Sequence, residues 1–344
     1  MKSPRHDVEP MSDSTNRRVA VVTGANAGVG KHTSLGFARL GFHVILCSRS
    51  EARGEAAAEW IRSCCPDASA EVVPLDLQDF HSVLRCADMI IAKAFGVIHA
   101  LVLNAGIGGL GSLPDWSKPT AKGVNMIFQV NFVAQFLLLR RIEHALKAAK
   151  GGRVVCLSSV AHRFSTWQPA LASWRPSPPG SSYSASKLAM AILAAELSRR
   201  WSADGVSGVS ANPGAVNSEI WYRGQLPRWC EAVIRPIFRL LFLTSKQGSA
   251  TSVAAATDPR FAAPTSTPTY LSPYYSFSYL PILGDLLGPF AGPRPCQPVP
   301  IVADPEAGRL LWEDTSDFLQ GYLGSESISE GKAKQPHHEP HAQP

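Results

Sequence analysis

A phenol and an ammonium stand one helical turn apart in SSYSASKLAM, residues 181–190. The i, i+4 spacing puts Tyr183 and Lys187 on the same face of a helix. A tyrosine ordinarily loses its proton at a pKa of about 10, too high for ready exchange near neutrality. A neighbouring cation favours the phenolate and lowers that value, which would make Tyr183 a usable general acid and base. The pair alone would also suit an ordinary surface helix, so the elements around it must decide.

A second group of residues has the spacing of a phosphate cradle. TGANAGVGKHT (23–33) carries Gly24, Gly28 and Gly30 as T-G-x-x-x-G-x-G, after the β-branched run VAVVTG (19–24) and at the start of a helical stretch, 30–40. Glycines let backbone amides approach a diphosphate, and a helix N-terminus adds favourable partial charge. A tight strand-to-helix turn can have the same glycines without a ligand. Here the strand before and the helix after, which dinucleotide binding requires, are both present. Asn26 and Val29 lie in the turn and join the glycines as cofactor-binding candidates.

The second strand, HVILCS (43–48), runs into Arg49, where NAD-binding chains usually carry Asp or Glu for the ribose hydroxyls. A guanidinium there would hold a 2′-phosphate bidentately, and Lys31 would add charge, so the cofactor expected is NADP(H).

The elements that must position these groups alternate. Strands are expected at 19–24, 43–48, 70–77, 100–106, 153–159 and 206–214, the last including a turn. Helices are expected at 30–40, 51–63, 79–95, 126–149 and 183–201. Each strand is a nearly continuous apolar run, as in a parallel sheet covered on both faces. The fold class expected is α/β, a single-domain doubly wound parallel sheet (Rossmann-like) with a C-terminal substrate-lid extension. Its parts are a disordered leader (1–16), the domain (17–322) with a lid and irregular substrate region (219–303), and a flexible tail (323–344).

With 344 residues, 45% hydrophobic and 17% charged, the chain can bury a sizeable core. A net charge of +6 without a basic run gives no support to nucleic-acid binding. Seven cysteines without C-x-x-C pairs suit reduced thiols in an intracellular setting, and no metal site is expected. The N-terminus has no apolar signal core, and no run is long enough to span a bilayer. WCEAVIRPIFRLLFL (229–243), interrupted by Arg235, Pro236 and Arg239, reads as an amphipathic lid or peripheral membrane contact. The expected location is therefore cytoplasmic, or peripheral on a cytoplasmic membrane face.

In order along residues 18–257, the chain resembles the short-chain dehydrogenase/reductase superfamily. The resemblance rests on TGANAGVG, LDL (75–77), LNAG (103–106), Asn131, VCLSS (155–159), YSASK (183–187) and NPGAVNS (212–218). SSVAHRF (158–164), SYSASKLAMAILAAEL (182–197), TSKQGS (244–249) and LLWEDTSDF (310–318) are similar to its retinol-dehydrogenase-like branch.

The resemblance implies Tyr183 as acid or base and Lys187 as holder of the nicotinamide ribose. It implies Ser159, the second of the serine pair, as hydrogen-bond donor to the substrate carbonyl, and Asn131 as part of a water relay to Lys187. Asp76 and Leu77 would meet the adenine, and Asn104 and Gly106 the adenosine side. Pro213, Gly214, Val216 and Ser218 would meet the carboxamide. Ser218 stands where threonine is common, and His162 is expected to be structural. The stretch from Thr269 to Val302 is longer and more aromatic than the branch's usual pattern.

Trp221, Trp229, Phe238 and Phe242 suit an apolar cover over a lipophilic aldehyde, ketone or alcohol, though core packing or a dimer contact would use them equally. The superfamily implies a homodimer or larger assembly. A catalytically lapsed nucleotide-binding regulator, or a reductase of a ring double bond, is the alternative to a carbonyl oxidoreductase.

Overall fold

The computed structural model describes residues 17–108, 120, 122–165, 179–217, 242–262, 267–274 and 290–324. The expected leader, Ser218, most of the 229–243 segment and nearly all of the tail lie outside them. Among the described residues, eight strands form one sheet in the order β3-β2-β1-β4-β5-β6-β7-β8. They are β1 (Val19–Thr23), β2 (His43–Ser48), β3 (Ser69–Pro74), β4 (Ala100–Leu103), β5 (Arg153–Leu157), β6 (Ser207–Ala211), β7 (Tyr270–Tyr274) and β8 (Phe290–Cys296). The first seven pair in parallel, and β8 runs antiparallel to β7.

Every residue of β1, β2, β4, β5 and β6 is buried, as their apolar runs require. Helices α1 (Gly28–Arg39), α2 (Glu51–Cys64) and α8 (Ser245–Thr257) cover one face. The other is covered by α3 (Phe80–Lys93), by α4 (Met126–Phe128), α5 (Ala134–Arg141), α6 (Glu143–Ala148) and α7 (Pro179–Arg200), and by α9 (Pro305–Phe318). This is the doubly wound arrangement. The chain winds outwards from β1 to β3 and returns to β4, so a crevice opens beyond the carboxyl ends of β1 and β4.

Three departures from the sequence expectation have local causes. The ladder of β3 closes at Pro74, so Leu75 to Leu77 lie beyond the strand. The helix expected over 126–149 is interrupted by a π turn, Gln129–Val133, and again at Ile142. Apolar periodicity does not register one inserted residue in a helix that is buried nearly all round. The region expected to be irregular, 219–303, supplies β7 and β8. Pro293 and Pro295 cannot donate to a ladder, which is tolerated because β8 is the edge strand.

Candidate active site

The centre is the junction of β5 and α7. Ser158, immediately past β5, donates from Oγ to the Lys187 carbonyl at 2.8 Å, and Lys187 Nζ donates to the Leu157 carbonyl at 3.1 Å. Ser159 faces the other way, towards the Tyr183 phenol, whose hold on its proton it weakens. It also accepts from Ala161 N–H at 3.2 Å, capping a short 3₁₀ turn, Val160–Phe164. Ser159, from the strand end, and Tyr183 and Lys187, from the helix, thus meet at one place.

The electrostatics differ from the expected pairing. Burial pulls the Lys187 ammonium down to about 8, because a charge without bulk water is costly. Burial also pushes the Tyr183 phenol above its ordinary value, and the hydrogen bond from Ser159 opposes that rise. Lys187 Nζ lies 5.6 Å from the centre of the Tyr183 ring and is committed to the Leu157 carbonyl. Within the protein alone, the ammonium does not bring the phenol down.

The π turn places Asn131 beside this pair. Its Nδ2 donates to Ile107 O (2.9 Å) and Ser186 Oγ (3.0 Å), and its Oδ1 accepts from Ile107 N–H (2.8 Å). Ser186 Oγ in turn donates to the Tyr183 carbonyl at 2.7 Å. Asn131 therefore ties the loop after β4 to the first turns of α7. Gln135, which the sequence did not single out, closes the gap in the helix ladder. Its Nε2 donates to Asn131 O (2.8 Å) and Ala105 O (3.0 Å), while its Oε1 accepts from Thr23 Oγ1 at 2.8 Å.

The expected dinucleotide side lies along the crevice. Gly24 and Gly28 have φ of 65° and 55°, in the region that favours glycine. A Cβ on Gly30 would come within 2.5 Å of the Gly24 carbonyl and of Asn104 Nδ2. Asn104 holds the turn by donating to Thr23 O at 2.7 Å. No side chain caps the first turn of α1 at Ala27, so its amides remain open for a phosphate. Asn26 and Val29 are half-buried in that turn, and Gly106 sits where a Cβ would meet Asn131 Oδ1 at 3.3 Å and Lys187 Nζ at 3.5 Å.

Arg49 is exposed past the end of β2, with no carboxylate among Cys47, Ser48 and Arg49. Lys31 packs its ammonium 4.1 Å above the Trp60 ring. Asp76 is half-buried and accepts from Gln78 N–H, whereas Leu77 is buried in the core and offers its carbonyl to Gln129. Pro213, Gly214 and Val216 form the loop after β6. The cradle, the open amides and the exposed cation fit a phosphorylated dinucleotide. No cluster of metal-ligating side chains occurs among the described residues.

Two residues acquire meaning only in the fold. Gly108 has φ of 116°, and a Cβ there would lie 2.7 Å from Tyr183 Cδ2. Its lack of a side chain is what lets the tyrosine ring lie against the β4 loop, and no sequence signal marks it. His162 is fully buried. Its Nδ1 lies 2.6 Å from Ser159 O, and Val299 N–H donates to its Nε2 at 3.4 Å, which together assign the ring proton to Nδ1. Burial lowers its pKa to about 4, so the ring is neutral and structural near pH 7, as the sequence suggested.

Residues 18–225 match the short chain dehydrogenase family profile. The chain belongs to the short-chain dehydrogenase family. Human dehydrogenase/reductase SDR family member 13 is 34% identical over 244 residues, 70% of this chain and 62% of that relative's length. Mouse retinol dehydrogenase 11 is 33% identical over 240 residues, 70% of this chain and 73% of that one. These likenesses put the chain in the retinol-dehydrogenase-like branch. A solved structure of an uncharacterized protein from Mycobacterium paratuberculosis superposes with a TM-score of 0.63 at 26% identity, over 88% of this chain and 93% of that one. Members of this family are oxidoreductases that use NAD(P) and act on small substrates.

Gly108→Ala should displace the Tyr183 ring and lower turnover by about a hundredfold, while NADPH affinity measured by calorimetry stays close to that of the unaltered chain. The unfolded His162 imidazole takes up a proton near 6.5, and the folded one resists protonation down to about 4. The unfolded state therefore binds more protons across that window. Stability is fully present above the upper value and falls with pH towards the lower one, by up to about 3 kcal/mol. Urea unfolding of His162→Gln should show a shallower fall over the same interval.

Proposed function

We propose that the chain interconverts a lipophilic aldehyde or ketone and its alcohol, using NADP(H), with Tyr183 as the general acid in reduction and the base in oxidation. The observation that carries this reading is the convergence of Ser159, Tyr183 and buried Lys187 where the end of β5 meets α7, next to the crevice. When bound, the dinucleotide supplies or accepts the hydride.

A substrate oxygen between Ser159 and Tyr183 receives two hydrogen bonds, which strengthen as negative charge develops on it. Burial keeps the phenol in its protonated form, so it holds the proton that the oxygen would take as negative charge develops there. Lys187 would hold the nicotinamide ribose beside the phenol, and Asn131 fixes the loop that faces it. The preference for NADP(H) is supported by exposed Arg49 and by the missing acid at the end of β2. The lipophilic class is supported by Phe164, 57% exposed at the end of the turn that Ser159 caps, and by the retinol dehydrogenase relative. The same physics does not favour a lapsed regulator, because each proton-handling group is present.

NADPH consumption should be followed with the purified chain against retinoids, steroids, alkanals and quinones. Tyr183→Phe should reduce turnover at least about a hundredfold while NADPH binding remains; full activity in that variant would defeat the reading. Arg49→Asp should shift the NADPH-to-NADH preference about tenfold or more towards NADH, read from the ratio of kcat/KM values.

A further inference from the structure

The loop after β6 rests on a residue that the proposed chemistry does not use. Tyr274 ends β7 and is buried, and its phenol oxygen accepts from Ala215 N–H at 2.9 Å. Gly214 has φ of 82°, and a Cβ there would lie 2.9 Å from each of Tyr274 Cε2, Pro273 Cγ and Leu243 Cδ1. The loop backbone therefore lies directly on the tyrosine ring. A hydrogen bond from Gly214 N–H to Asn212 Oδ1 (3.0 Å) fixes the preceding turn.

On its far side the loop is pinned again. Val216 and Leu243 form a parallel bridge, with Leu243 N–H donating to Ala215 O at 2.8 Å and Asn217 N–H to Leu243 O at 2.9 Å. Val216, Leu243 and Tyr274 make a small apolar cluster, and Val29 of the glycine turn packs against it. Tyr274 thus touches the loop's backbone directly and reaches the phosphate cradle through this cluster. The loop after β6 and the glycine turn are thus held apart by one shared cluster.

We propose that Tyr274 is a positioning residue for the nicotinamide half of the cofactor: it sets the height of residues 213–216 relative to the glycine turn. This rests on the reading above that this loop meets the carboxamide, and it adds a residue from β7 that acts through the loop. Removing the phenol oxygen deprives Ala215 N–H of its acceptor while keeping the ring that Gly214 lies on. The loss should fall on ligands that reach the loop and spare those that occupy only the adenosine end.

The test compares NADPH with adenosine 2′,5′-bisphosphate, which lacks the nicotinamide half, by calorimetry on the full chain. Tyr274→Phe should weaken NADPH about tenfold and leave the bisphosphate within about twofold. Equal weakening of both ligands, or unchanged NADPH binding, would overturn the inference. An unaltered chain that binds neither ligand would remove the functional reading and this inference with it. If thermal melting shows that Tyr274→Phe does not fold, Leu243→Ala loosens the same cluster without touching the hydroxyl and should give the same split, with the same overturning result.

Discussion

Two hydrogen bonds run in opposite directions between the end of β5 and the third turn of α7, and the site is organised around them. Ser158 gives its proton to the Lys187 carbonyl, and Lys187 gives one of its own to the Leu157 carbonyl. A strand end and a helix are locked in register by that exchange. Ser159 alternates to the opposite side from Ser158 and is delivered to the phenol of Tyr183. If the helix slid by one residue, the tyrosine would leave the serine. The core around Leu188 to Ala195 prevents the slide, because that stretch of α7 is buried on every side.

The same burial that fixes the geometry sets the protonation. The ammonium becomes easier to deprotonate and the phenol harder, so both groups are moved towards their neutral forms. A neutral phenol is a proton donor. Returning it to the phenolate needs additional positive charge nearby, and the oxidised nicotinamide carries such a charge. Under the proposed function, burial would link the tyrosine's exchange of a proton to which form of the cofactor is bound.

The sequence made the sheet legible because each strand is a short apolar run and each helix has its own period. The glycine turn, the Tyr183–Lys187 pair and Arg49 were legible because their chemistry lies within a few residues. What was not legible depends on distant contacts. Thr23 meets Gln135 across 112 residues, and Ala215 meets Tyr274 across 59. The role of Gly108 is the absence of a side chain under a ring brought from α7. Spacing alone also could not say that Tyr183 would be desolvated, which reversed the expected direction of its pKa. The π turn that carries Asn131 adds a residue without changing hydrophobicity, so a pattern of apolar positions passes over it.

The final strand has a consequence for how the molecule meets copies of itself. A parallel sheet ordinarily leaves an open flank of amides and carbonyls onto which a foreign strand can zip. Here the flank is occupied by β8, a seven-residue strand in which Pro293 and Pro295 offer no amide proton and Gly292 turns at φ of 80°. A strand so poor in donors is a weak template for further growth, so on this flank, opposite the β3 edge, the sheet is not readily extended.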